Sequence, residues 1–264
     1  MIEINDLVKI FHPGSINEVL ALSKINLKVR KGDFITIIGS NGAGKSTLLN
    51  CLAGSYSINS GFILIDEEDV SNWPEYKRAN QISRVFQDPL LGTCGTLSIE
   101  QNLALANRRG KSHGLKRGVK RKDRELFRKQ LSLLDLGLEN RLKDKVGLLS
   151  GGQRQALTLL MATLIKPKIL LLDEHTAALD PKTALQVLKL TQQFVDTLHL
   201  TALMVTHNMH QALQFGNRLI MLHGGRVILD VSGNEKKRMT VDDLLEQFYK
   251  VRGEEFISDR MLLV

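Results

Sequence analysis

Three short stretches of this chain carry residue types able to handle a polyphosphate. The first, Gly39-Ser40-Asn41-Gly42-Ala43-Gly44-Lys45-Ser46-Thr47, fits the pattern G-x-x-x-x-G-K-[ST]. Its three glycines let the backbone bend tightly and turn consecutive N–H groups inward, while a helix opening at Ser46 adds partial positive charge facing the anion. Lys45 would reach the β- and γ-phosphates, and the Ser46 hydroxyl would ligate Mg²⁺. The second stretch is Asp173-Glu174, at the end of the aliphatic run Ile169-Leu170-Leu171-Leu172. One carboxylate would hold Mg²⁺, usually through water, and its neighbour would polarise an attacking water. Alone, the pair reads equally as an exposed Asp-Glu opening a loop; together with Lys45, metal-assisted phosphoanhydride hydrolysis is the better reading. The third stretch, Leu149-Ser150-Gly151-Gly152-Gln153, offers a hydroxyl and a nest of N–H groups at a helix start. It has no lysine to carry a nucleotide alone and reads as readily as a helix N-cap. A second anion site makes sense if it binds a phosphate already held elsewhere.

The elements that must position these residues follow from periodicity. Phe34 to Ile38 predicts a buried strand delivering the glycine-rich loop, and Ser46 to Ala53 the helix that receives it, with Gly54 as its C-cap. Four unalternated aliphatics before Asp173 predict a parallel strand covered on both faces, with the two carboxylates emerging at its carboxyl end, where open α/β sheets bind ligands. The first thirty residues predict an antiparallel β element, with Ile2 to Ile4 and Leu7 to Phe11 pairing with Val19 to Leu22 and Ile25 to Val29. Phe11 lies just outside the nucleotide strand, where it would either stack on a purine or pack in the core. Ile82 to Phe86 predicts a strand running into Gln87-Asp88-Pro89. From about 90 to 165 the pattern turns helical, over Leu97 to Ala106, Asp123 to Leu136 and Gly152 to Ile165, and reads as an inserted lobe. A helix from Pro181 to Thr197, a strand from Thr201 ending at His207, a helix from Asn208 to Phe215, two short strands and a last helix near 240–250 complete the alternation.

Composition bounds the class. The 264 residues suit one α/β domain with an insertion, or two modest lobes, and at 43% hydrophobic and 24% charged they are ordinary for a soluble globular protein. No run approaches the roughly 18 apolar residues that a bilayer span needs, and the N-terminus has no leader pattern, so a cytoplasmic chain reaching the membrane through a partner is expected. Cys51 and Cys94 form neither a metal spacing nor a disulfide framework. The net charge of +8 is concentrated: Arg108 to Arg124 holds nine Lys or Arg and one acid, leaving the remainder near neutral, unlike a protein that coats nucleic acid. That run reads as a solvated loop and helix face, as a surface facing anionic lipid or a partner's acidic loop, or as a nucleic-acid track.

Taken together, about residues 1 to 230 resemble the ATP-binding subunits of ABC transporters. Gly39 to Thr47 matches the Walker A motif, Gln87 the Q-loop, Leu149 to Gln153 the LSGGQ motif, Ile169 to Asp173 Walker B, Glu174 the catalytic glutamate, Ala178-Leu179-Asp180 the D-loop and His207 the H-loop. The resemblance implies a P-loop NTPase (RecA-like) α/β core with an N-terminal antiparallel β subdomain (residues 1–89 and 166–235), an α-helical subdomain (90–165) and a C-terminal extension (236–264). It implies ATP and Mg²⁺ as ligands, the metal at Ser46, Gln87 and Asp173. Glu174, His207 and Gln87 would act in catalysis, and the nucleotide would be held by Phe11, Gly39 to Thr47, Ser150 to Gln153 and Asp180. It implies two copies sandwiching two ATP molecules, each P-loop facing Ser150 and Gly152 of the opposite chain. A membrane permease, an extracytoplasmic solute-binding protein and a place on the cytoplasmic face of the membrane follow from it, with no nucleic acid. Departures are His175 where the family commonly has Pro, Phe11 for the usual Tyr, and a hairpin lengthened from His12 to Leu20. The Asp-Glu-His-Thr-Ala-Ala-Leu-Asp-Pro run, the basic insertion and Gly216-Asn217-Arg218 resemble importers of tryptophan/tyrosine-type amino acids. The rivals are an exporter ATPase, a soluble ABC-type ATPase acting on nucleic acid or ribosomes, supported by the basic run alone, and a P-loop kinase, which leaves Leu149 to Gln153 without a role.

Overall fold

The computed structural model describes residues 1–111 and 118–252. In chain order it has strands β1 (Ile2–Phe11), β2 (Val19–Val29) and β3 (Phe34–Gly39), helix α1 (Lys45–Ala53), strands β4 (Ser60–Ile65) and β5 (Glu68–Asp69), then α2 (Glu75–Arg78) and β6 (Ile82–Val85). Helices α3 (Ile99–Ala106), α4 (Arg121–Ser132) and α5 (Gly151–Leu164) precede β7 (Ile169–Asp173) and α6 (Pro181–Leu198). The chain continues through β8 (Thr201–Val205), α7 (Met209–Gln214), β9 (Arg218–His223), β10 (Arg226–Ser232), α8 (Gly233–Arg238) and α9 (Val241–Arg252). Lys116 and Arg117 of the basic run, and the C-terminal extension beyond Arg252, lie outside the described residues.

The chain divides into two compact units, one formed by Met1–Arg78 with the chain from Thr201 onward, the other by Ala79–Leu200. The first unit holds an antiparallel sheet, β2-β1-β4-β5, and the strands β10-β9-β3-β8. In the latter set β3 lies parallel between β8 and β9, with Ile37 opposite Val205 and Gly39 opposite Leu222. Every residue of β3 and β8 is buried, as expected of parallel strands covered on both faces. Met209, Ala212, Leu244 and Phe248, from α7 and α9, pack against Ile38, Leu219, Met221 and Val231.

Where the sequence pattern breaks the N-terminal element into four pieces, the chain forms two long strands. Register shifts absorb the polar interruptions: Asp6 and Lys24 take φ of 43° and 52°, and Asn26 bridges the hairpin by accepting from the Asp6 N–H at 3.0 Å.

In the second unit β6 runs parallel to β7, with Val85 opposite Leu172. Buried Ile99, Leu103, Phe127, Leu131, Leu157 and Leu160 from α3, α4 and α5 build its interior. The helical stretch and the strand ending at Asp173 fall in this same unit, because α5 packs against both β6 and α6.

Candidate active site

In the first unit, Gly39 to Thr47 leaves the carboxyl end of β3 and closes into α1. Two of its glycines are required by close approach. A Cβ at Gly39 would lie 2.3 Å from the Leu222 carbonyl oxygen of β9, and one at Gly44, whose φ is +97°, would lie 2.6 Å from the Ala21 carbonyl oxygen of β2. The loop therefore rests directly on two strands. Gly225 N–H donates to the Ala43 carbonyl at 3.2 Å, and Ala43 N–H to that of Ser40 at 3.1 Å. No side chain caps α1, so the positive end of its dipole faces the loop. Asn41, Gly42 and Ser46 are exposed, Thr47 is half-buried, and Ser40 is buried. Lys45 is only 6% exposed; its Nζ donates to the carbonyl oxygens of Gly39, at 2.7 Å, and Ser40, at 3.1 Å. The ammonium thus lies inside its own loop.

Phe11 ends β1 half-buried and outside the core. Tyr56 meets it edge-to-face at 5.3 Å and 88°, and the Lys9 ammonium stands 5.0 Å over its ring. Tyr56 carries no sequence signal, because it lies 45 residues away in a turn and reaches Phe11 only once β1 and β4 pair. His207 follows β8 and is exposed. Its neighbours are fixed: Thr206 N–H donates to the Ile37 carbonyl at 3.1 Å, and Asn208 caps α7 through Gln211 N–H at 3.0 Å.

In the second unit, Asp173 is buried at the end of β7 and Glu174 follows half-buried with φ 44°. Arg84, on β6, donates through Nη2 to Asp173 Oδ2 at 2.7 Å. The next residue, His175, is 2% exposed, and burial pushes its imidazole down to about 4. Thr191 donates its hydroxyl to the Val187 carbonyl at 2.8 Å, so its oxygen accepts at 3.0 Å from His175, which fixes the neutral ring as the Nε2–H tautomer. His175 thereby ties the Glu174 turn to α6, and it is a satisfied core histidine where the family pattern has Pro.

Ser150 caps α5, accepting from Gln153 N–H at 3.3 Å while Gln153 Oε1 accepts from Ser150 N–H at 3.2 Å. Gly152 admits no side chain, since a Cβ would meet Thr183 Cγ2 at 2.2 Å, and Gly151 faces Leu179. The Ser150 to Gln153 turn is therefore seated on the start of α6, whose N-cap is Asp180; the Thr183 side chain, and after it the Thr183 N–H at 3.1 Å, hold that exposed carboxyl below its usual range. Gln87 is exposed after β6, and Gln155 anchors the preceding turn by donating to the Phe86 carbonyl at 3.2 Å.

By donor type alone, the residues expected to hold Mg²⁺ suit that ion: Ser46 in the first unit, and Gln87 and Asp173 in the second. A serine hydroxyl, a side-chain amide oxygen and a carboxylate are hard oxygens, and Mg²⁺ takes only one or two protein carboxylates beside its waters and phosphates. No group of three or more His, Cys, Asp or Glu able to hold a metal occurs among the described residues.

The ABC transporter family model matches residues 22–177, spanning the phosphate loop, the Ser150 turn and both carboxylates. The chain belongs to the ABC transporter family. It is 48% identical over 249 residues to the tyrosine transport ATP-binding protein of Clostridioides difficile (strain R20291), covering 94% of this chain and 98% of that one. It is 36% identical over 230 residues to the methionine import ATP-binding protein MetN of Clostridium tetani, covering 86% of this chain and 68% of that one. Among solved structures it resembles the ATP-binding cassette MJ0796 in a dimeric post-hydrolysis state bound to ADP and Pi, with 28% identity and a TM-score of 0.75 over 88% of this chain and 98% of that one. The ADP conformation of the cassette MJ1267 matches with 25% identity and a TM-score of 0.75, covering 94% of this chain and 98% of that one. The fold is that of an ABC ATPase cassette, and the chain is an ATPase of this family.

Proposed function

We propose that this ABC ATPase is the ATP-hydrolysing subunit of an importer with an amino acid as cargo. It would work as a pair with a second copy, docked on a separate membrane permease at the cytoplasmic face and served by an extracytoplasmic solute-binding protein. The observation that carries this is the 48% identity, sustained over nearly the full length of both chains, to a protein named for tyrosine transport. No helix among the described residues is long and apolar enough to cross a membrane, which fits a subunit that borrows its permease.

In this reading ATP lies on the Gly39 to Thr47 loop, with Lys45 turning from its own carbonyls to the β- and γ-phosphates and Phe11 stacking on adenine. Ser46, Asp173 and Gln87 would hold Mg²⁺, which when bound neutralises charge on the phosphate oxygens. Glu174 orients a water and accepts its proton as the water oxygen bonds to the γ-phosphorus. The bond from that phosphorus to the bridging oxygen breaks, its electron pair leaving on ADP. His207 contacts the γ-phosphate. Ser150 to Gln153 and Asp180 serve the nucleotide held by the second copy, so the γ-phosphate bridges two chains and its loss opens the pair.

Isolation of the tagged chain from detergent-solubilised membranes, followed by identification of its partners and of the amino acid that stimulates ATPase activity in vesicles, tests the proposal. An integral-membrane partner with amino-acid stimulation is expected, whereas ribosomal or chromosomal partners would overturn it. The nucleic-acid alternative loses support from the basic run itself. Arg109 is turned inward to Ser83 and the carbonyls of Ala162 and Ile165, and Arg124 pairs with Glu100 at 2.6 Å.

A further inference from the structure

Arg84 is the one charged side chain on a strand whose other residues, Ile82, Ser83 and Val85, are buried. Its pairing with Asp173 is sequestered, the two side chains being 14% and 12% exposed. The Phe86 ring backs the guanidinium at 4.7 Å, so the group is held from behind while it reaches forward to the carboxylate. The register fixes this reach: Arg84 lies opposite Leu171, two residues before Asp173, and its long side chain spans that distance along the paired strands. A carboxylate in so dry a place requires a cation, and withdrawing one partner of such a pair leaves a charge that solvent cannot compensate. A dication on the same carboxylate meets that requirement instead, but it is repelled by a guanidinium left beside it.

We propose that Arg84 is a placeholder for the metal: it neutralises Asp173 while no dication is bound, and it competes with Mg²⁺ for that carboxylate, setting the metal affinity of the site. This rests on the reading of Asp173 as the metal carboxylate.

The test is a titration of Mn²⁺, followed by its electron paramagnetic resonance signal, into the full-length protein saturated with ADP. In Arg84→Met the Mn²⁺ affinity should rise by about tenfold or more, because the competitor is gone. The thermal midpoint should fall without metal and recover more steeply with Mn²⁺ and ADP than it does in the unmodified chain. Arg84→Gln, which keeps a polar amide donor on a shorter side chain without charge, should show the same tightening and serves if the methionine variant does not fold. Affinity unchanged or weakened in both variants overturns the placeholder. Asp173→Asn separates the two ideas: it should weaken Mn²⁺ binding, and unaltered binding there would remove Asp173 as metal carboxylate and the placeholder with it.

Discussion

Glu174 has a geometry that few residues without special φ freedom adopt, a half-buried carboxylate on a backbone with φ 44°, immediately after the buried Asp173 and immediately before the buried His175. That turn is held from both sides, so the carboxylate changes chemistry without changing position when its charge is removed. Glu174→Gln should therefore leave ATP affinity within about twofold, lower turnover by at least about a hundredfold and accumulate a nucleotide-dependent dimer in light scattering. Hydrolysis near the unmodified rate would take Glu174 out of the role of base. At this scale the sequence was legible wherever chemistry restricts residue type: phosphate needs Gly, Lys and a hydroxyl at fixed spacing, and Asp-Glu after an aliphatic run follows from a strand end. It was silent on Arg84, whose partner is 89 positions away and is found only through the pairing of β6 with β7. It was silent too on His175, whose acceptor Thr191 comes into reach only when α6 folds back over the turn.

At the scale of elements, two cations, half-buried Arg109 and buried Lys236, act as pins. Arg109 reads as part of a solvated basic face, yet its guanidinium, pulled below its usual range by burial, joins the end of α5 to β6 through Ser83 and the carbonyls of Ala162 and Ile165. Composition could not separate it from its exposed neighbours, since an arginine that satisfies backbone carbonyls looks like any other in a list of charges. Arg109→Ala should lower unfolding stability by about 1–3 kcal/mol in urea titration, as three acceptors lose their donor. Lys236 does the same for the first unit: it is 3% exposed on α8, and its ammonium reaches the carbonyl of Phe215 and, at 3.0 Å, that of Gly216. Burial pulls it from 10.5 down to about 8. Between those values the unfolded chain keeps a proton that the folded chain has shed, so stability rises with pH across that window, while below about 8 the whole cost of the buried charge is present. Relative to Lys236→Met, the unmodified chain should gain about 1–2 kcal/mol from pH 8 to 10.5, less than full linkage because its carbonyl acceptors favour the ammonium. Parallel pH-dependent denaturant curves would check this, and curves that stay parallel would refute it. The N-terminal strands show the opposite limit of sequence reading: polar pairs at Asn5-Asp6 and Ser23-Lys24 look like breaks, and only cross-strand partners reveal them as bulges.

For the whole molecule, the phosphate loop and the Ser150 turn sit in different compact units of one chain, and the proposed function asks the turn of one copy to complete the loop of another. Specific activity should then fall as the protein is diluted through the concentration at which light scattering shows the pair dissociating, with an apparent reaction order near two in chain. Activity per chain that stays constant among monomers would end that proposal. Lys45 has a last consequence. Because its ammonium already donates to two carbonyls of its own loop, the resting loop is not a loose anion trap open to whatever drifts past. An incoming phosphate chain must therefore replace contacts that the ammonium already has, and one that touches the loop at several points at once repays that exchange better than a single phosphoryl group does.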